Sequence, residues 1–299
     1  MRLRQLEYFI AICRNGSFTA AAQELLVAQP SLSQQIRSLE RELGVELLER
    51  GRQGVLLTAA GRVFLPHAEA VIAATESARR SIDDLVSGGD GDLHILTVRS
   101  VASGVLPSGL VQWHDVYPGT MLRLHDYSHR AELEAAVREG HGDVAIGPRP
   151  AMWSGEVVLL GYESLVVAGR GPFAPGPARA EELREARWVH FEAEQGMGEV
   201  LDWAAHSMGF TPKVAARVGQ VTAALRLAVE GIGLTIIPAN AVPEDWSGNV
   251  RETEPPLYRA LVAYSRGPMD PLAKRFIRML HDAPLPLLRD DPPSGAIVR

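Results

Sequence analysis

The 299-residue sequence contains one cysteine, Cys13, which excludes an intrachain disulfide, a cysteine zinc cluster and a two-thiol redox switch. It contains two lysines, Lys213 and Lys274, and neither follows a glycine-rich phosphate loop. The HExxH zinc motif and the GxSxG nucleophile elbow are absent, and the nine histidines show no ligand spacing. No metal or cofactor is expected, and an enzyme is left without a motif to carry it. Gly231-Ile232-Gly233 starts like a dinucleotide loop but lacks the third glycine and soon meets Pro238, so it reads as a helix end leading into a strand. No apolar run approaches the roughly 20 residues needed to span a bilayer. The run Leu6 to Cys13 contains Glu7 and is followed by Arg14, which is not a signal-peptide pattern. A cytoplasmic protein with no membrane role is expected.

What is present is enough for a sizeable core: 46% of residues are hydrophobic and 22% charged, which fits two or three domains. The net charge of −6 is unevenly divided. Residues 1–62 hold eight Arg against six Glu with no Asp or Lys, a net of +2, and the remainder carries −8. A small basic head therefore precedes an acidic body.

Polar or glycine-containing breaks at Arg14 to Ser17, Val27 to Gln29 and Gly44 cut the head into three short helices. Leu3, Leu6, Phe9, Ile10 and Cys13 recur at helical spacing, as one buried face requires, and this places Cys13 in the core. Val45 to Arg50 and Val55 to Thr58 flank a Gly-Arg-Gln-Gly turn and read as a hairpin. Helices followed by a hairpin predict a winged helix. Thr58 is a good N-cap for a long helix ending near Ser87-Gly88-Gly89. On it Phe64, Ala68, Val71, Thr75, Ala78, Ile82 and Leu85 alternate spacings of four and three, the pattern of a helix that pairs with a second copy. Pro66 predicts a kink near its start. Beyond Asp92 short β-rich runs alternate with helices, the signature of an α/β fold. The Pro-rich segment 283–299 is expected to be a mobile tail.

The segment Ser17 to Glu40 carries the chemistry. Ala21 and Ala22 allow two helices to cross closely, with Leu25, Val27, Leu32, Ile36 and Leu39 as the buried seam. The opposite face of the second helix presents Gln29, Pro30, Ser31, Ser33, Gln34 and Arg37, suited to phosphates and base edges in the major groove of double-stranded DNA. Arg50 and Arg52 at the wing suit the backbone or minor groove.

These residues resemble the LysR-type family of bacterial transcriptional regulators. The carriers are Leu3 to Ala11, Gly16 to Ala22 with Leu25, Gln29-Pro30 with Ser33, Gln35-Ile36, Leu39-Glu40, Leu43-Gly44, Leu47, Arg50, Leu57-Thr58 and Ala60-Gly61. Ala28 departs from the family's capping Ser or Thr, and Leu48 from its usual Phe. The lost cap would cost about 0.5 to 2 kcal/mol unless Ser31 forms a capping box with Gln34. Leu106-Pro107, Leu110, Trp113, Tyr117-Pro118, Gly140 to Gly147 and Gly231 to Leu234 with Pro238 extend the resemblance toward the family's effector domain.

The resemblance implies an α/β protein with an α-rich N-terminal winged helix-turn-helix and a C-terminal, two-lobed domain like the type 2 periplasmic binding proteins. Its parts would be 1–58 for DNA binding, 59–88 for the linker and dimerisation helix, and 89–282 for effector binding. The two lobes would comprise 89–160 with 266–282, and 161–265. It also implies a small-molecule effector, homodimers or homotetramers, and contact with RNA polymerase. Ligands in such folds bind beyond the strand C-termini. That rule nominates Ser100, Val101, Ala102, Ser103, His129, Gly147 and Arg149 on one lobe and Phe191, Gln195, Gln220 and Thr222 on the other. The alternative is an α/β small-molecule binder or enzyme without a DNA target.

Overall fold

Gly44 adopts a left-handed backbone (φ 73°) that a side chain would disfavour, and it ends the third helix where the sequence break predicts an end. The computed structural model describes residues 1–51, 54–87, 91–170, 176–282 and 288–299. The chain forms two compact units, a head on Met1–Ser87, with which Arg138–His141 are grouped, and a larger sensor on Gly88–Val137 and Gly142–Arg299.

The head runs α1 (Leu3–Asn15), α2 (Phe18–Glu24), α3 (Gln29–Leu43), β1 (Leu48–Gly51), β2 (Gly54–Leu57) and α4 (Ala59–Ser87). Leu6, Phe9, Ile12, Ala21, Leu32, Ile36 and Leu39 form its core, and Cys13 packs partly buried against it. Leu3 is exposed, and Tyr8 and Ile12 are buried, so the inner face of α1 is turned slightly from the predicted stripe. The hairpin is antiparallel, with Leu48 opposite Leu57, as a wing requires. Thr58 caps α4 by accepting from Gly61 N–H at 3.0 Å. The helix continues through Pro66 without interruption.

The dimer stripe on α4 needs a correction at its start. Phe64 packs on Phe9 with ring centroids 5.5 Å apart, and Ala68 is buried in the same core. Both face α1 of their own chain, because the first turns of α4 roof the head. Val71, Ala78 and Ile82 are exposed and Thr75 is half-buried. The side chain of Leu85 lies outside the described residues.

The sensor begins with β3 (Asp92–Val98), α5 (Arg99–Gly104), α6 (Leu106–Val116), β4 (Met121–Tyr127), α7 (Arg130–Glu139) and β5 (Val144–Pro148). It continues through β6 (Val157–Gly169), β7 (Ala178–Arg179), α8 (Ala180–Glu185), β8 (Arg187–Phe191), α9 (Gly196–Ser207), β9 (Lys213–Val218), α10 (Val221–Val229) and β10 (Thr235–Pro238). β11 (Asn249–Tyr264), α11 (Pro271–Asp282), β12 (Leu288–Arg289) and β13 (Ile297–Val298) complete it. The main sheet has the order β10-β6-β11-β5-β3-β4, with β3 parallel to both β4 and β5. β8 and β9 form a separate parallel pair.

Two cores flank the long strands. One packs Trp113 edge-on against Phe276, 5.4 Å between centroids, together with Ile95, Ile146 and Tyr264. The other gathers Trp188, Phe191, Leu201, Leu225 and Ile236. β6 and β11 pair antiparallel over most of their length and feed both cores, with an irregularity between Glu252 and Leu257. These are the crossovers of a two-lobed fold. Because β11 serves both lobes, the expected boundary at residue 265 moves: Leu261 to Tyr264 belong to the first lobe's core.

The tail expectation is also corrected. β12 pairs with β6 and β13 runs parallel to β11, so residues 288–289 and 297–298 are strands on the crossovers. Composition argues from side-chain burial and misses stabilisation through backbone hydrogen bonds to an open strand. Residues 283–287 lie outside the described residues.

Candidate DNA interface and effector cleft

In the head, Ser17 accepts from Ala20 N–H at 3.4 Å and starts α2. The turn to α3 passes through Leu26, which has φ 53° and is 92% exposed. Ala28 occupies the N-cap of α3 without a side-chain hydrogen bond. The proposed Ser31 and Gln34 capping box does not form; the helix starts at Gln29, and Pro30 in its first turn removes one donor that would need a cap. Leu32, Ile36 and Leu39 anchor α3 inward. Gln29, Pro30, Ser31, Gln34 and Arg37 are exposed and Ser33 is half-buried. One turn beyond, Arg41 is exposed too and donates to Arg37 O at 3.2 Å. Arg41 was missed in the sequence because it falls past the helix-turn-helix motif, although its i+4 spacing from Arg37 signals the shared face. Among the described residues neither Arg37 nor Arg41 has a carboxylate partner, whereas Arg14 is paired with Glu24. Arg52 and the side chain of Arg50 lie outside the described residues.

The wing is placed by Glu40, whose Oε1 accepts from Leu47 N–H at 2.9 Å and Leu48 N–H at 3.2 Å. Val55 N–H donates to Gly16 O at 2.9 Å on the other strand. The hairpin is therefore tied both to α3 and to the α1–α2 turn.

In the sensor a cavity of about 490 Å³ opens between the lobes, a size suited to a small molecule. Ser100, Ala102, Ser103, Arg149, Phe191, Gln195, Gln220 and Thr222 all line it, as the strand-end rule predicts. Val101 and Gly147 do not. Val101 points into the first lobe's core from α5, and Gly147 is buried beneath Leu133. His129 is outside the cavity wall: its Nδ1 accepts from Ala131 N–H at 3.0 Å, which leaves the proton on Nε2 to meet Glu199 Oε1 at 3.0 Å.

Reading strand ends alone missed Arg99, Asp126, Arg130, Glu199, Arg259 and Arg299, all on the wall. Arg99 Nε donates to Asp126 Oδ2 at 3.2 Å, and Arg130 Nη1 lies 3.3 Å from Glu134 Oε1. Arg259 is paired with Glu163, both almost fully buried; Asn240 donates to the same carboxylate at 2.9 Å and Ser100 Oγ accepts from Arg259 at 3.2 Å. Arg299 Nη2 donates to Glu199 Oε2 at 2.7 Å. Burial alone would push the Glu199 carboxyl up, but the Arg299 hydrogen bond, the electrostatic pull of the His129 ring and the charge of Arg299 hold it below the usual range. The lobes are bridged by Gly196 N–H to Ser128 O at 2.9 Å and by Arg99 to Gln195 at 3.4 Å. Among the described residues no cluster of His, Cys, Asp or Glu could hold a metal ion, and no helix is long and apolar enough to cross a membrane.

Comparison with known proteins decides between these geometries as parts of a regulator and as an isolated binding protein. Residues 3–62 match the family described as bacterial regulatory helix-turn-helix protein, lysR family, and residues 87–284 match the LysR substrate binding domain. The chain belongs to the LysR family of transcriptional regulators. This LysR-type regulator is 32% identical over 252 residues to the HTH-type transcriptional regulator ClcR of Pseudomonas putida, covering 82% of this chain and 85% of that protein. It is 31% identical to the Hca operon transcriptional activator HcaR of Escherichia coli K12, covering 94% and 98%. Full-length CbnR in complex with its target DNA is similar in structure, with TM-score 0.68, 26% identity, and 95% and 100% of the two chains covered. The head is the DNA-binding part and the sensor the effector-binding part of a transcriptional regulator.

Proposed function

We propose that this LysR-type regulator reads its operator with α3, placing Gln29, Ser31, Ser33, Gln34 and Arg37 in the major groove. Pro30 packs there beside them, and Arg50 and Arg52 meet the backbone or minor groove from the wing. The supporting observation is the division of α3 into a buried apolar face and an exposed face whose arginines have no carboxylate partner among the described residues. A small-molecule effector binds in the interlobe cavity and shifts the population between states with different affinity for DNA. The exposed part of the α4 stripe, from Val71 to Ile82, pairs with a second copy. Homodimers or homotetramers thus span paired half-sites in the cytoplasm and contact RNA polymerase. Pairing matters energetically because residues 1–62, with a net charge of only +2, gain little from counterion release alone.

The test is binding of the full chain to the region upstream of its own gene. A metabolite screen by thermal shift follows, with each hit examined for its effect on that binding. A hit that stabilises the protein while leaving DNA binding and transcription unchanged would reject the coupling.

A further inference from the structure

The matched effector domain ends at residue 284, yet the cavity wall includes Arg299. The tail delivers it. β12 sets Leu288 opposite Glu163 and Arg289 opposite Tyr162, and β13 sets Ile297 beside Leu257 and Val298 beside Tyr258. Arg299 N–H then donates to Tyr258 O at 2.9 Å, and Ala260 N–H to Arg299 O at 3.2 Å. These two bonds straddle Arg259 and fix the backbone of residue 299 at the floor of the cleft. Burial, together with the charges of Arg130 and Arg259, lowers the Arg299 guanidinium pKa against the opposing pull of Glu199, so three cations converge there.

Their pairings differ in kind. Arg259 and Glu163 are 4% and 1% exposed, and neither can change partner without stranding a buried charge. Arg299 and Glu199 are 26% and 43% exposed, a solvated pair of small net worth that can be exchanged. Glu199 also keeps a second donor in His129 Nε2 when Arg299 leaves. Arg149 adds another wall guanidinium, with no carboxylate partner among the described residues. The wall also carries an apolar surface from Val98, Pro148, Phe191, Met197, Val200 and Val221, beside polar groups such as Ser100, Ser103, Gln220 and Thr222.

Resting on the effector reading above, we propose that Arg299 is an effector ligand brought into the cleft by the C-terminal strand, that the effector is an apolar molecule bearing an anionic group such as a carboxylate, and that Glu199 competes with this group for the guanidinium. The tail is then part of the sensor. Binding transfers Arg299 from Glu199 to the effector anion.

The experiment measures binding of benzoate and hexanoate, and of the neutral benzamide and hexanamide, to the full-length chain by calorimetry and thermal shift. Wild type should bind the acids and not the amides. Arg299→Gln should weaken acid binding about tenfold or more, the loss of one charge-assisted hydrogen bond. Glu199→Gln should tighten it, because the competitor is gone, and Arg299→Lys should fall between wild type and Arg299→Gln. A merely structural clasp predicts that Arg299→Gln and Glu199→Gln both weaken binding, and that outcome overturns the proposal. Equal acid affinity in wild type and Arg299→Gln also overturns it, as does binding of amides as tightly as acids. If no acid binds and a neutral metabolite stabilises the chain and alters DNA binding, the cleft reading stands and the anion assignment fails.

Discussion

Gly61 lies so close to Leu47 that a Cβ on it would sit 2.1 Å from the Leu47 carbonyl oxygen. The contact is with backbone, which cannot rotate away, and it joins the first turn of α4 to the approach to the wing. Leu47 O is also the acceptor for Thr58 N–H at 3.0 Å. Gly61→Ala should therefore separate α4 from the wing, at a cost of about 2–3 kcal/mol in head stability. Denaturant unfolding of residues 1–87 checks this; a change within 0.5 kcal/mol would show that the helix shifts freely.

Arg37→Ala should weaken specific operator binding by about 1–3 kcal/mol, which is about 5- to 150-fold, if its side chain reads a base edge. Arg79→Ala, exposed on α4, should change it little. Mobility-shift titrations at two salt concentrations separate the base contact from a phosphate contact. Equal losses in both variants would reject α3 as the reading element.

Glu163→Ala leaves Arg259 buried beside Ser100 without its carboxylate and should destabilise the sensor by about 3–5 kcal/mol. Adding Arg259→Met removes the stranded charge and should recover most of that loss. Denaturant midpoints of the single and double variants decide it. A double variant as unstable as the single one would place the cost in packing rather than charge.

Burial, reinforced by the charge of Glu69, pushes the Cys13 thiol up to about 12. An unfolded thiol titrates near 8.5. Above that value the unfolded head releases a proton that the native head retains. This contribution to stability is thus complete below about pH 8.5 and declines as pH rises toward 12. At pH 8, alkylation of Cys13 by iodoacetamide should be at least about a hundredfold slower in the native protein than in denaturant. Comparable rates would mean that the thiol is open to solvent.

Truncation bears on the division of the chain. Residues 88–299, which contain both sensor cores, should fold with a cooperative thermal transition when expressed alone. Removing residues 288–299 from that fragment should lower its melting temperature, because two strand pairings on β6 and β11 are lost. An unchanged transition would show that the tail adds nothing to the hinge.

Elements whose signal is local were legible in the amino-acid sequence. α1, α2 and α3 are separated at the breaks read at Arg14 to Ser17, Val27 to Gln29 and Gly44, since a helix closes its hydrogen bonds within a few residues. Ala21, Leu32, Ile36 and Leu39 meet as predicted because the helix-turn-helix is itself a local motif. Ser100, Phe191, Gln195 and Gln220 were found because strand ends in an open α/β sheet converge on one crevice.

What depends on distant pairing was decided only by the tertiary structure. The first half of β11 and the whole of β9 lack a distinctive pattern, and they become strands because β6 and β8 offer them an edge. The sequence by itself determined a basic reading head, an acidic sensor and the place of the cleft. The tertiary structure decided which charges are locked and which can be exchanged. Arg259 and Arg299 are equally charged guanidiniums 40 positions apart, and only burial against Glu163 distinguishes the fixed one from the half-buried one held by Glu199. Burial and partner are properties of the folded chain, so no local pattern could have separated them.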